Sequence, residues 1–237
     1  MFRVNFVRLA FAAAMLVVSS AAAAQAQRVP GPRPRVIILP CCNCVGGEGD
    51  VVNLNSGNGA GSVPWNVSGP LVVNPIAQTI TGNFHPAWTA TLSPALWVHP
   101  DTANGSTNQP GGTYNYTVRF VVPDCTIPMR VSLNGQAAAD DELKAFVTDQ
   151  NATTTQIGAT PYTQIIPPPA VAQGQGGWGF RAERIASLPW STNVPGLYTL
   201  RLEVPNRPGT PHGLLVRAAL RTICPRALVQ PDGPNPG

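Results

Sequence analysis

Residues 113–122 read TYNYTVRFVV, and this stretch decides the fold. Its apolar side chains recur at every second position from Tyr114 to Val122, and polar residues such as Asn115 and Arg119 take the positions between them. An alternation of period two over a stretch of this length predicts a long β-strand with one buried and one exposed face. The apolar face of such a strand needs a second layer of structure to cover it.

The same alternation recurs elsewhere in the chain. Further strands are predicted at residues 71–80, 129–133, 143–148, 198–204 and 213–223. The turn signal Asn134-Gly135 is expected to end the second of these, and only residues 138–143 suggest a helical turn. Many short strands separated by turns predict an all-β protein, an antiparallel β-sandwich or jelly roll.

The composition excludes several classes of protein. The 237 residues include 26 Pro and 23 Gly, and charged residues make up 11%, against about 25% in an ordinary soluble domain. Coiled coils, helical bundles and charge-rich disordered tails need more charge than this. The chain has one lysine, Lys144, beside fourteen arginines. Because nucleic-acid binding needs clustered cations, no nucleic-acid partner is expected.

The N-terminus has the pattern of a secretory signal peptide, predicted at residues 1–26. Arg3 and Arg8 supply its positive charge, residues 9–18 are apolar, and Ala24-Gln25-Ala26 fits the cleavage pattern. An uncleaved membrane anchor is the alternative, but the apolar stretch is short for a membrane span, and no later segment is apolar enough. The sequence therefore predicts a secreted or periplasmic protein without a transmembrane segment after cleavage.

The remaining chain divides into three parts by composition. Residues 27–40 form a Pro-rich arm, residues 41–224 the predicted β-sandwich domain, and residues 225–237 a Pro/Gly-rich tail. Removing the leader leaves 13 cations and 11 anions, and removing the arm as well leaves 10 cations and 11 anions. The net basic charge therefore belongs to the leader and the arm, and a nearly neutral body favours an uncharged partner.

Five cysteines indicate disulfide bonds, because thiols exported to an oxidising compartment usually pair. They are Cys41, Cys42, Cys44, Cys125 and Cys224. A bond from the first three to one or both of the last two would attach the Pro-rich entry to the sandwich, although the sequence leaves the pairing open. The odd number leaves one cysteine free or available for a disulfide between chains. A metal site at the clustered thiols is the weaker alternative, since no histidine lies near them.

No catalytic motif is evident, and the chain is predicted not to be an enzyme. The G-x-S-x-G motif of serine hydrolases is missing from the sequence, and His85, His99 and His212 are widely separated. The carboxylates of Asp140 and Asp141 belong to adjacent residues, so they do not face each other across a cleft as a glycosidase pair would. They are more plausible as calcium ligands, because Ca²⁺ takes several oxygen ligands.

A framework of strands and turns carries a resemblance from about residue 88 to residue 224. Its segments are GGTYNY at residues 111–116, LNG at 133–135, ADD at 139–141, PGLYTL at 195–200 and PHGLLV at 211–216. It resembles small jelly-roll modules of bacterial exported and surface proteins, which are broadly similar to galactose-binding-like domains. The resemblance implies carbohydrate binding or surface architecture. The chain departs from it with Asp140-Asp141 in place of the usual Asp-Asn, and with a Pro-rich stretch at 165–170.

The function predicted from these observations is that of an exported, non-enzymatic binding module for carbohydrate or another uncharged surface polymer. Trp178 lies between glycines, where an exposed indole could stack on a sugar, and Trp178, Asp140 and Asp141 are the expected ligand contacts. No cofactor other than calcium is expected. The alternative is a structural building block of the cell surface or extracellular matrix, in which an unpaired cysteine or the arms mediate self-association.

Overall fold

The computed structural model describes residues 35–41, 49–81, 88–101, 108–127, 129–140, 142–160 and 185–224. These ranges form β-strands and contain no helix, so the all-β prediction is confirmed for them. In particular, they hold no helix that is long and apolar enough to cross a membrane. The predicted signal peptide, most of the Pro-rich arm and the C-terminal tail lie outside the described residues.

The first sheet is built around the strand that contains residues 113–122. It contains β1 (Val36–Ile38), β3 (Asn66–Ser68), β7 (Gly112–Val122), β9 (Lys144–Thr148), β10 (Thr154–Ala159) and β13 (Gly196–Asn206). The strands run in the order β1-β7-β13-β9-β10, and β3 also pairs with β7. The pairing of β7 with β13 is antiparallel over their whole length, whereas β1 is parallel to β7 at the edge.

The second sheet is centred on the pair of β8 and β15. It contains β2 (Val51–Asn53), β4 (Gln78–Thr79), β5 (Val98–His99), β8 (Arg130–Ala139), β11 (Ala186–Ser187), β12 (Trp190–Thr192) and β15 (Leu214–Ile223). The order is β11-β8-β15-β5-β4, with β12 also on β8 and β2 also on β15. A separate two-stranded ribbon pairs β6 (Asn108–Gln109) with β14 (Thr210–Pro211).

The main core lies between the two sheets and follows the predicted alternation. The apolar positions of β7 from Tyr114 to Val122 are all buried, while the positions between them are partly exposed. Leu133 on β8 and Val216 and Leu220 on β15 belong to the same apolar cluster from the other sheet. Two sheets that bury facing apolar surfaces form a β-sandwich, which confirms the predicted fold class.

The predicted turn at Asn134-Gly135 is wrong, because β8 continues through it to Ala139. Gly135 pairs directly with Ala218 of β15, and a Cβ atom at Gly135 would lie 2.5 Å from the Cβ of Ala218. This glycine therefore permits a close approach between strands and does not form a turn. β8 also includes Ala138 and Ala139, the first two residues of the helical turn suggested at 138–143, and the described residues 140, 142 and 143 are not helical.

The strand predicted at residues 71–80 is also largely wrong. Only Gln78–Thr79 forms a strand, and the side chains of Leu71 and Val73 are 83% and 95% exposed. Pro70 and Pro75 bracket the apolar run. Because proline has no N–H to donate to a β-ladder, this stretch passes over the surface as an irregular loop.

A disulfide links β1, the parallel edge strand, to the end of β7. Cys41 follows β1 and is bonded to Cys125, which follows β7, with 5.7 Å between their Cα atoms. Cys224, directly after β15, is also disulfide-bonded, and its partner lies outside the described residues, as do Cys42 and Cys44. The prediction that disulfides attach the cysteine cluster to the sandwich is confirmed for the Cys41–Cys125 bond.

Candidate functional site

Of the three predicted ligand contacts, the structure describes only Asp140. Its side chain is buried, and its Oδ2 accepts a hydrogen bond from the indole Nε1 of Trp88 at 3.0 Å. Its backbone N–H donates to the carbonyl of Gly213 at 2.9 Å. Asp141 and Trp178 lie outside the described residues, so the proposed grouping of all three stays a prediction. The contacts of Asp140 hold Trp88 against the second sheet.

The described tryptophans contribute to packing. Trp88 and Trp97 stack with ring centres 4.5 Å apart, in a small apolar cluster with Leu215 that covers one end of the outer face of the second sheet. Trp65 is buried in the main core, and its Nε1 donates to the carbonyl of Leu54 at 3.2 Å. The expectation that Trp97 is a core residue is confirmed. The buried indoles of Trp65, Trp88 and Trp97 present no open face to a sugar.

A buried aromatic and histidine cluster lies in the core near the start of β7. The ring of His212 lies 4.3 Å from that of Tyr114 and 5.9 Å from that of Tyr116. Burial, with a smaller contribution from nearby His99, lowers the pKa of His212 to about 3. Burial, followed by the effect of Tyr114, raises the pKa of Tyr116 well above its usual value. These groups are therefore neutral near pH 7.

This cluster is incompletely hydrogen-bonded. Neither ring nitrogen of His212 nor the hydroxyl of Tyr116 has a hydrogen-bond partner among the described residues. His99, by contrast, accepts the backbone N–H of Asp101 at its Nδ1, at 3.1 Å. Since His212 is fully buried, its ring has no surface on which to meet a dissolved substrate.

The described residues hold no group of three or more His, Cys, Asp or Glu side chains placed to bind one metal ion. Asp140 already accepts the Trp88 indole N–H, and Asp141 is not described. The calcium site suggested at this pair therefore stays a prediction.

The outer face of the second sheet, which points away from the main core, contains a cleft of about 520 Å³. Its lining is rich in side-chain amides, which the sequence analysis did not single out. The polar lining residues are Asn53, Asn55, Asn134, Gln136 and Arg217. Gly135, Ala218 and Ala219 contribute to the lining between them, and Pro94 lines it from the segment that carries Trp88 and Trp97.

The register of three strands accounts for this arrangement. Asn53 of β2 pairs with Ala219 of β15, which pairs in turn with Asn134 of β8. Residues paired across neighbouring strands point to the same face of the sheet. A small alanine between two amides leaves a depression with hydrogen-bonding groups on both sides. Two residues away along both β8 and β15, Gln136 lies opposite Arg217. The Nη2 of Arg217 donates to Oε1 of Gln136 at 2.7 Å.

The loop from Asn55 to Ser62 forms one wall of the cleft. The backbone N–H of Asn55 donates to the carbonyl of Gly61, and its Nδ2 donates to the carbonyl of Ala60 at 3.1 Å. Gly61 has a φ of +68°, and a Cβ atom there would lie 2.8 Å from the Cβ of Asn53. The glycine therefore lets the loop turn back closely over an amide of the cleft.

Ser56 holds the segment that carries Pro94 beside this loop. Its hydroxyl donates to the carbonyl of Leu96 at 2.7 Å and accepts the backbone N–H of Val216 at 2.9 Å. Its backbone carbonyl accepts the N–H of Leu96 at 3.0 Å. These bonds attach the segment that carries Pro94 to β15, so the cleft is formed by elements held in place by hydrogen bonds.

The side-chain amide of Asn55 also has an acceptor oxygen, Oδ1, to which no described residue donates. The side chain is buried. A buried acceptor without a donor costs about 1–3 kcal/mol of stability. The cleft thus combines amide donors, amide acceptors and one guanidinium.

Comparison with known proteins finds no family model and no curated protein that matches the chain. The resemblance to galactose-binding-like modules therefore depends on the strand-and-turn framework of the sequence alone.

Proposed function

We propose that this protein is an exported, non-enzymatic binding module for a carbohydrate or a similar hydroxyl-rich surface polymer, and that the amide-lined cleft is its binding site. The observation that carries the proposal is the row Asn53–Ala219–Asn134, which places two amides on either side of a shallow floor. Amides both donate and accept hydrogen bonds, as neighbouring sugar hydroxyls do, so one amide can satisfy either polarity.

Export is part of this proposal. It is supported by the signal-peptide pattern of residues 1–26 and by the Cys41–Cys125 disulfide, because disulfides persist in oxidising compartments. Export can be tested on the full chain. Fractionation of the expressing cells, followed by N-terminal sequencing of the exported chain, would show whether cleavage occurs after Ala26. A full-length chain retained in the cytoplasm would contradict this part of the proposal.

The binding test compares two exposed asparagines. Asn134 lines the cleft, whereas Asn151 lies in the turn between β9 and β10 of the other sheet. Affinity electrophoresis through gels containing dextran, galactan or alginate would be run with Asn134→Ala and with Asn151→Ala as the matched control. We expect Asn134→Ala to weaken retardation in at least one gel about fivefold or more, since a hydrogen bond contributes about 1 kcal/mol. Asn151→Ala should behave as the unchanged protein does.

The same gels separate the cleft from the contact predicted from the sequence. If Trp178→Ala abolishes retardation and Asn134→Ala leaves it unchanged, the ligand binds elsewhere and the cleft is not the site. If the unchanged protein is retarded by none of the polymers, the carbohydrate proposal fails.

The second candidate function is that of a structural surface protein linked through cysteine. It is favoured by the odd number of cysteines, since the Cys41–Cys125 bond and the bond of Cys224 account for at most four of the five. Non-reducing electrophoresis of the exported protein tests it. A disulfide-linked dimer that disappears on reduction would support this candidate, and an exclusively monomeric band would remove cysteine-linked assembly.

A further inference from the structure

The exposed arginines of the second sheet lie on one face. Alternation along β8 and β15 places Arg130, Arg217 and Arg221 on the outer face, opposite the side that enters the main core, and all three are exposed. We call this surface the arginine face. The strand residues that share it on β2, β8, β11, β12 and β15 are amides, serines and apolar residues, and none of them is acidic.

The hydrogen bonds of these arginines hold them without neutralising them. Arg217 donates to the Gln136 amide, and Arg130 donates to the hydroxyl of Ser191 at 2.7 Å. None of the three forms an ion pair with a residue that the structure describes. The guanidinium groups of Arg130 and Arg217 are thus positioned by uncharged partners, and all three arginines retain their full charge toward solvent.

The outer face of the first sheet shows the opposite arrangement. Arg201 forms an ion pair with Glu203 and lies over the ring of Phe146, 4.7 Å from its centre. Lys144 is paired in register with the same Glu203. Arg201 and Lys144 of the first sheet therefore have an acidic neighbour, whereas the cations of the arginine face have none among the strand residues beside them.

Three acids lie near the strands of the arginine face along the chain. Asp124 comes six residues before Arg130, after the end of β7. Asp50 precedes β2, where its backbone carbonyl accepts the N–H of Thr222. Asp140 follows β8 and is buried against Trp88. None of them is among the strand residues of the arginine face, which therefore carries a local positive charge that a count of charged residues over the whole body does not reveal.

The spacing of the arginines suits an extended ligand. Arg217 and Arg221 are four residues apart on β15, which corresponds to about 13 Å along a strand. Arg221 pairs with Ser132, so Arg130 is its diagonal neighbour on β8, at about 7–8 Å. The cleft adjoins Arg217, and its amides continue the line of polar groups toward Asn134.

We propose that the arginine face binds an acidic polysaccharide, one that carries carboxylate or sulfate groups, with Arg217 and Arg221 as the principal charge contacts. The inference rests on the proposed function and narrows its substrate class from any hydroxyl-rich polymer to an anionic one. Guanidinium groups bind carboxylates and sulfates through paired N–H donors, while the interleaved amides and serines bind hydroxyls.

The observations favour a polysaccharide over nucleic acid. Single-stranded nucleic acids are bound largely by stacking of bases on exposed aromatic rings. The strand residues of the arginine face include no aromatic side chain, since Trp190 of β12 belongs to the opposite side and packs against Phe120 and Tyr198. Nucleic acid therefore enters the test as a competing outcome.

The experiment measures binding of the full exported chain to sodium alginate, to dextran as an uncharged polysaccharide, and to a short single-stranded DNA. The variants are Arg217→Gln and Arg221→Gln, and Lys144→Gln removes the same charge from the first sheet as the matched control. We expect each arginine variant to bind alginate about tenfold more weakly, because a charge-assisted hydrogen bond is lost. Lys144→Gln should bind alginate as the unchanged protein does. Raising the salt concentration from about 0.05 M to about 0.5 M should weaken alginate binding strongly, since screening shortens the reach of exposed charges.

Each result distinguishes this inference from the function on which it rests. Dextran binding equal to alginate binding, unaffected by Arg217→Gln, would overturn the inference and leave the carbohydrate proposal intact. DNA binding at least as tight as alginate binding, and lost in the same variants, would also overturn the inference. Equal losses of alginate binding in Lys144→Gln and in the arginine variants would show that the net charge of the protein alone drives binding. That result would overturn the assignment of binding to the arginine face. Absence of alginate binding would overturn the inference, and it would remove the proposed function as well only if dextran and galactan were also not bound.

Discussion

Acidification should destabilise this protein through His212, a buried histidine whose ring nitrogens have no hydrogen-bond partner in the part of the chain that the structure describes. In the folded state burial, with a smaller contribution from His99, lowers its pKa to about 3, against 6.5 for an unperturbed histidine. Between these two values the unfolded chain binds a proton that the folded protein excludes. The stabilising contribution is therefore complete above about pH 6.5, is lost as the pH falls, and is gone below about pH 3.

The size of the effect follows from the pKa difference. Each unit corresponds to about 1.4 kcal/mol, so the full loss is about 4–5 kcal/mol, of which about 3 kcal/mol occurs between pH 7 and pH 4. Tyr114 and Tyr116 pack against the ring, but burial raises their pKa values, so they stay neutral and do not titrate in this window. A domain of ordinary stability would lose a large part of its free energy of unfolding in this way.

The test is urea-induced unfolding of the unchanged protein and of His212→Phe and His212→Leu at several pH values from about 7 to about 4. Neither substitution removes a hydrogen bond between described residues, and both remove the titrating group. As the pH falls across this range, the free energy of unfolding of the variants should fall by about 3 kcal/mol less than that of the unchanged protein. Parallel pH profiles for the unchanged protein and both variants would refute the assignment, whatever the effect of the substitutions at neutral pH.

Three further predictions concern stability. Replacing Cys41 and Cys125 by serine opens a loop with a sequence separation of 84, and should lower the free energy of unfolding by about 4–5 kcal/mol on the chain-entropy estimate; an unchanged urea midpoint would contradict this. Trp88→Phe removes the indole N–H that Asp140 accepts and should cost about 1.5–3 kcal/mol. In a double-mutant cycle with Asp140→Asn the two losses should not add, and simple additivity would show that the bond contributes nothing. Ser56→Ala removes a hydroxyl that joins two segments and should cost about 1–3 kcal/mol in the same assay, whereas a change within about 0.5 kcal/mol would place the serine among ordinary surface positions.

Some parts of the candidate site could be anticipated from sequence and others could not. Local alternation correctly predicted which residues of β15 face the core, and so which ones face outward, and it did the same for β8 as far as Leu133. The cleft could not be predicted, because a turn at Asn134-Gly135 would place Asn134 at the end of a strand and not in the middle of a sheet. The glycine that suggested a turn instead makes room for Ala218 of the neighbouring strand.

Asp140 shows the reverse case. Its acidic side chain in a polar run suggested a ligand contact, but the structure places it in a buried hydrogen bond with Trp88, fifty-two residues earlier in the chain. The distance in sequence explains why local reasoning could not find this partner. Trp178 and Asp141, the other two predicted contacts, lie outside the described residues and stay predictions.

By itself, the sequence determined the all-β class, the face that each long strand buries and the attachment of the cysteine cluster to the sandwich. These properties depend on local periodicity and on residue chemistry, which a single chain displays directly. The row Asn53–Ala219–Asn134 and the gathering of Arg130, Arg217 and Arg221 on one face were decided only by the tertiary structure. Cross-strand register joins residues that are far apart in the chain, and local periodicity does not encode which residue on one strand lies opposite which residue on another.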